Sequence, residues 1–214
     1  MAPRTGLSGR KAQAARNDQI ILESARHVFV SDPTAPIAAV AEHAGVGISA
    51  LYRRYPSKED LLRKICGDGL DTYLSHAEAA AASTDDPWPT FEKFMRDVVD
   101  SDTHSITVAL AGTFTPSPEL YEAATRAGRL NVAMVERMHE ADVLRPDISD
   151  ADLGVIFEQL AAVHTEDEKR TRELRQRYLT LILDSLRNPP MTTPLPGTAP
   201  TVEERARRWQ PRAG

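Results

Sequence analysis

The sequence predicts an all-α protein: a three-helix unit carrying a helix-turn-helix at the amino terminus, followed by a larger helical body. Three observations lead there. No segment sustains an alternation of apolar and polar residues, so no sheet is expected. Apolar residues recur at helical spacing instead, along most of residues 16–187. Between Ala44 and Leu62 the stretch AGVGISALYRRYPSKEDLL breaks that rhythm with two glycines, then sets three cations beside two tyrosines.

The elements follow in order. Residues 1–15 read as a disordered basic arm. Ile21, Ala25, Val28 and Phe29 share one helical face, which places a first helix at about 16–30. Pro36 suits the first turn of a second helix over 37–44, and Gly45 suits its left-handed end. A third short helix spans 48–55 and stops at Pro56. Ser57 then caps a long helix to about Ala82, with Glu59 and Asp60 favouring its positive end. After the break STDDPWP, helices are expected at about 90–100, 103–112, 118–141, 149–164 and 167–187. The segment PPMTTPLPGTAPT reads as an extended tail, with a short helix in VEERARRW. The domain division is therefore 1–15 arm, 16–57 helix-turn-helix unit, 58–188 body and 189–214 Pro-rich tail.

Composition narrows the function. The 214 residues are 41% hydrophobic and 27% charged, an ordinary globular balance. No apolar run reaches the roughly 18 residues of a membrane-crossing helix, so no membrane partner is expected. The amino terminus lacks the apolar centre of a secretory signal, and a lone cysteine, Cys66, forbids an internal disulfide. Both point to the cytoplasm. The net charge of −5 is unevenly spread: residues 1–64 carry +4 and the remainder −9. A basic head on an acidic body suggests one end that meets a polyanion.

The opening stretch gives that end a geometry. Ala41 is small where two helices cross, Gly45 supplies a positive φ, and Val46 and Leu51 plug the inner side of the turn. The third helix then presents Ile48, Ser49, Ala50, Tyr52, Arg53 and Arg54, with Lys58 at the start of the long helix. Arginine can grip guanine edges or phosphates, and tyrosine can donate to a phosphate or stack on a sugar or thymine methyl. A helical hairpin whose arginines are only a solvated face is the plainer alternative.

The run IAAVAEHAGVGISALYRRYPSKEDLLRKI, Ile37 to Ile65, resembles the DNA-binding segment of the tetracycline-repressor (TetR) family of bacterial regulators. The matching residues are Ile37, Ala41, Ala44–Val46, Leu51–Leu62 and, in the first helix, Phe29. The ending PLPGTAP and EERARRW is similar to tails of actinobacterial members. The resemblance implies a transcriptional regulator, a repressor released by a small apolar effector, acting as a homodimer on a near-palindromic double-stranded operator. Ile48, Ser49, Ala50 and Tyr52 would meet bases or sugar edges. Tyr52, Arg54 and Lys58 would meet phosphates, with Arg53 beside them. Two departures stand out. Gly47 gives the third helix no side-chain cap, and Ala38 and Ala39 replace polar phosphate contacts.

The body carries no nucleophile elbow, phosphate loop, zinc-protease motif or Cys-x-x-Cys, so neither an enzyme nor a cofactor is expected. Glu136 and His139 have a metal-chelating spacing that occurs once, and a redox role for Cys66 is an open alternative. Phe94, Met95, Val98, Leu110, Phe114, Tyr121, Met134 and Met138, with His104 and Thr107 as polar anchors, are the candidate pocket. Two stripes, Leu153, Phe157 and Leu160, then Leu174, Tyr178, Leu181 and Ile182, are the candidate dimer face. A helical enzyme or metal protein, and an architectural DNA-binding protein that ignores ligands, are the competing readings.

Overall fold

In the computed structural model, residues 6–188 and 193–207 are described; residues 1–5, 189–192 and 208–214 lie outside it. The helices are α1 (Gly6–Ser31), α2 (Ile37–His43), α3 (Ile48–Arg54), α4 (Lys58–Ala82), α5 (Pro87–Asp100), α6 (Thr103–Leu110), α7 (Pro118–Glu140), α8 (Asp150–Ala161), α9 (Glu168–Leu186) and α10 (Val202–Arg207). Among the described residues the only strand-like pairing is an isolated bridge between Leu144 and Arg187. No described helix is long and apolar enough to cross a membrane.

Local chemistry explains most boundaries. Ser57 accepts from Asp60 N at 3.0 Å, Asp86 from Trp88 N at 3.2 Å and Ser117 from Leu120 N at 3.3 Å, capping α4, α5 and α7. Ser149 and Asp152 form a reciprocal capping box at α8. One expectation fails at the start: α1 already runs from Gly6, so residues 6–15 are helical and not a disordered arm. Good helix formers in KAQAAR sustain it, with Gln13 Nε2 donating to Asn17 Oδ1 and Arg16 Nη2 to Gln13 Oε1, both at 2.9 Å. The tail is also tied down in part. Arg145 donates to the Thr193 carbonyl, and Leu195 N donates to Asp147, both at 2.8 Å.

Two apolar cores form. The head core joins Ile21, Ala25 and Phe29 of α1 to Ile37, Val40, Leu51 and Tyr55, and to Leu61, Leu62, Ile65 and Cys66 of α4. It also takes Ile106, Leu110 and Phe114 from α6 and the segment after it. The body core gathers the second half of α4 with α5, α7, α8 and α9 around Phe91, Phe94, Met95, Phe157 and Leu179. Helix α4 therefore runs through both cores, while α6 gives Ile106 and Leu110 to the head core and sets His104 against Phe157 of the body core. Burial pushes the Cys66 thiol up to about 12, so the thiolate that redox chemistry needs is absent at neutral pH.

The candidate dimer stripes separate. Leu153, Phe157 and Leu160 are at most 2% exposed inside one subunit, which corrects their assignment to a subunit interface. They face inward because they pack with residues of α4, α5, α7 and α9 in the body core. On α9 the buried face is Leu179, Leu183 and Leu186, whereas Tyr178 and Leu181 stand 43% and 60% exposed, with Leu174 and Ile182 partly covered.

Candidate nucleic-acid interface and effector cavity

The turn between α2 and α3 is set by its backbone. Val46 N donates to Ala41 O and Gly45 N to Glu42 O, at 3.0 and 3.1 Å, while Gly45 takes φ +64. A side chain at 45 would be strained in that conformation. Gly47 caps α3 with no side-chain bond, as its lack of a hydroxyl requires. Leu51, fully buried, anchors α3 on the head core, which leaves Ile48, Ser49, Tyr52 and Arg53 exposed and Ala50 partly so. Ala38 is exposed and Ala39 partly buried, so α2 offers methyl groups where a cation or hydroxyl would hold a phosphate.

Two of the expected phosphate contacts are occupied within the head. Arg54 makes a fork to Asp18, with Nε to Oδ1 and Nη2 to Oδ2 at 2.8 Å each. Tyr55 Oη donates to the same carboxylate at 2.7 Å, so Asp18 binds the end of α3 to α1. The fork raises Arg54 above its ordinary value and, with the tyrosine, holds Asp18 below its own. Burial pushes Tyr55 up. Lys58 Nζ donates to the carbonyls of Pro33 at 3.1 Å and Ala35 at 2.7 Å, and lies 4.9 Å from the Phe29 ring centre. Its ammonium holds the α1–α2 connection to α4, and burial lowers its pKa. Asp18 had no signal in the sequence, since its partners lie 36 and 37 residues away.

The Asp18 fork carries a pH signature. A carboxylate with a depressed folded pKa contributes stability above its unfolded value, near 3.9, and loses it as pH falls toward the lower folded value. Asp18→Asn should cost about 1 kcal/mol at pH 7 and much less at pH 3. Denaturant unfolding across that range checks the difference.

The expected pocket divides into several environments. Met134 and Met138 line a cavity of about 170 Å³, with Ala80, Ala81, Pro87, Thr90, Phe91, Leu130, Ala133 and Arg137. Phe94 and Met95 are buried in the body core beside it. Val98 and His104 border a separate space of about 10 Å³, no more than one water's worth. Leu110 and Phe114 belong to the head core, Thr107 donates to its own helix at Thr103 O, and Tyr121 is 73% exposed. Amphipathic periodicity cannot distinguish these surroundings, because each helix turns its apolar face to a different neighbour. His104 lies against Phe157 with ring centres 4.7 Å apart and planes tilted by 33°, and burial lowers it to about 4, so it stays neutral at physiological pH. His139 of the Glu-x-x-His pair donates to the Arg145 carbonyl at 3.2 Å and holds the α7–α8 connection.

A polar node joins α6 to the rest of the body. Arg175 of α9, 5% exposed, pairs with Asp102 at 2.6 Å and donates to Ser105 Oγ and to the carbonyls of Ala161 and Val163 at 3.0 Å. Ser105 in turn donates to Asp102. At its other end, α6 runs into Thr115, whose carbonyl accepts from Arg63 at 3.2 Å and whose N–H donates to Glu59 at 3.3 Å, both on the first turns of α4.

These elements define a helix-turn-helix head joined by α4 and α6 to an all-α body with a partly open cavity between α4, α5 and α7. Residues 21–65 match the family model described as bacterial regulatory proteins, tetR family. The HTH-type transcriptional repressor LfrR of Mycolicibacterium smegmatis is 28% identical over 183 residues, covering 84% of this chain and 93% of that protein. The structure of LfrR from Mycobacterium smegmatis in complex with proflavine covers 78% of this chain and 96% of that one at 22% identity and a TM-score of 0.55. A TetR regulatory protein from Mycobacterium vanbaalenii covers 83% and 98% at 25% identity and a TM-score of 0.52. Residues 21–65 are thus a TetR-type DNA-binding segment, and the chain is similar along most of its length to TetR-type transcriptional regulators. Proteins of this family are generally DNA-binding and not enzymatic.

Proposed function

We propose that the protein is a cytoplasmic homodimeric repressor that leaves a near-palindromic operator when a small apolar molecule enters the body cavity. The observation that carries this reading is the continuity of α6. Its first turn is held by Arg175, its last apolar residues lie in the head core, and the following loop grips the start of α4. A shift of the α4–α5–α7 wall around the cavity would therefore be felt at the head. LfrR, crystallised with proflavine, supports ligand control. A ligand can shift the head only by its differential affinity for the two arrangements, and couplings of roughly 1–3 kcal/mol are usual. Calorimetric titration of an effector with and without operator tests it: the two affinities should differ by the same factor as operator affinities with and without effector. Equal ligand affinities would remove the claim.

For the dimer, the support is the outward face of α9. Leu174, Tyr178, Leu181 and Ser185 recur at helical spacing there. On α8 and its C-cap, the exposed or partly exposed Val155, Gln159 and Ala162 take the place of the buried stripe. Two such helix pairs packed across a two-fold axis make a four-helix bundle.

The reading face is Ile48, Ser49, Ala50, Tyr52 and Arg53. Arg53→Ala should weaken binding to every sequence and lower the salt slope by about 1, as loss of a phosphate contact does. Ser49 or Tyr52 substitutions should change preference among operators, by about 1–3 kcal/mol per lost base contact. Arg54→Ala and Lys58→Ala are expected to act mainly through the fold of the head. Salt-dependent titrations of Arg53→Ala, Arg54→Ala and Lys58→Ala separate the loss of a phosphate contact from damage to the head.

A further inference from the structure

The cavity's lining is not neutral toward charge. Eight of its ten residues are apolar, Thr90 supplies a hydroxyl, and Arg137 is the lone ionic side chain, with no carboxylate in the wall. Arg137 is fixed across the cavity by Nη1 donating to Ser83 O at 2.9 Å and Nη2 to Asp85 O at 2.7 Å. Both acceptors are backbone carbonyls, so among the described residues the guanidinium charge meets no formal ion pair, and of its five N–H groups several remain over. At that rim Asp85 accepts from Ser83 Oγ and Asp86 from Trp88 N, both at 3.2 Å. The size is restrictive as well. A cavity of about 150 Å³ takes a benzene molecule, and this one, at about 170 Å³, is little larger.

We propose that the effector is a compact apolar monocarboxylate, about one substituted ring or a branched chain of equal bulk. Its carboxylate meets Arg137 and its apolar part lies against Phe91, Met134 and Met138. This rests on the reading of the body as an effector-binding domain. A carboxylate brought to a fixed, partly covered guanidinium forms a charge-assisted pair. A planar cation such as proflavine, three fused rings long, would meet both a like charge and too little room.

The test is calorimetry on the full chain with three probes: benzoate, its neutral amide benzamide, and proflavine. The acid is expected to bind at least tenfold more tightly than the amide, and proflavine more weakly than the acid. Arg137→Met should erase the acid's advantage, and Arg137→Lys, which keeps the charge, should retain part of it. Circular dichroism and unfolding midpoints show whether either variant has lost the fold, and the lysine variant decides if the methionine one has. Equal binding of acid and amide, tighter binding of proflavine, no binding of the acid, or an unchanged advantage in a folded Arg137→Met variant would each overturn the proposal. Operator affinity is measured separately. If the acid binds with the expected preference and operator affinity does not move, the ligand class stands and the repressor-release reading fails.

Discussion

Leu181→Asp is expected to convert the protein to monomers while leaving each subunit folded. Leu181 is 60% exposed in the single chain, so an aspartate there meets water and the helix content should not change. In the proposed dimer the same position lies at the centre of the α9 stripe, where an unpaired carboxylate is costly to bury. Operator affinity should then fall by roughly 10²-fold or more, because two linked reading heads gain their avidity from simultaneous engagement. Sedimentation gives the first result and operator titration the second. A variant that remained dimeric would move the interface elsewhere.

Arg175→Met should be the most destabilising single change in the body outside the apolar core. It removes four bonds at once and leaves the carbonyls of Ala161 and Val163 and the hydroxyl of Ser105 without their donor. Each such group costs about 1–3 kcal/mol if water does not replace the partner. Asp102 is half exposed and recovers hydration, so the sum should stay near about 3 kcal/mol, or roughly 6–12 °C in melting temperature for a chain of this size. The functional consequence follows from position. With the first turn of α6 released, effector binding should shift operator affinity less than in the wild type. Arg175→Lys should not rescue it, since an ammonium cannot span acceptors arranged around a planar fork. A variant as stable as wild type would show that the node is incidental.

The head was legible in the sequence because its constraints are local. Gly45 must take a positive φ, Ser57 caps the helix it precedes, and Leu51 points inward from a helix seven residues long. Side chains whose partners are distant in the chain were not legible. Arg54 and Lys58 read as phosphate contacts, and nothing in the sequence pointed to the Asp18 carboxylate or the Pro33 and Ala35 carbonyls that lie beside them. The α8 stripe was visible as a stripe, but periodicity does not say whether the cover is the same chain or a second copy. On α9 the stripe and its flank were both apparent, and only packing against the body core showed that Leu179, Leu183 and Leu186 face inward. The cavity needed three helices in register, α4, α5 and α7, and only Met134 and Met138 of its lining had been anticipated.

The central claim is that two copies of α3 read one near-palindromic site. Selection of bound sequences from random double-stranded DNA with the full chain, followed by footprinting of the winners, tests it most directly. Two inverted half-sites should emerge, centred about 34–36 Å apart or somewhat more. Protection should cover both, and Tyr52→Ala should alter the selected bases in both halves together. A single half-site, or no enrichment over bulk DNA, would contradict the account.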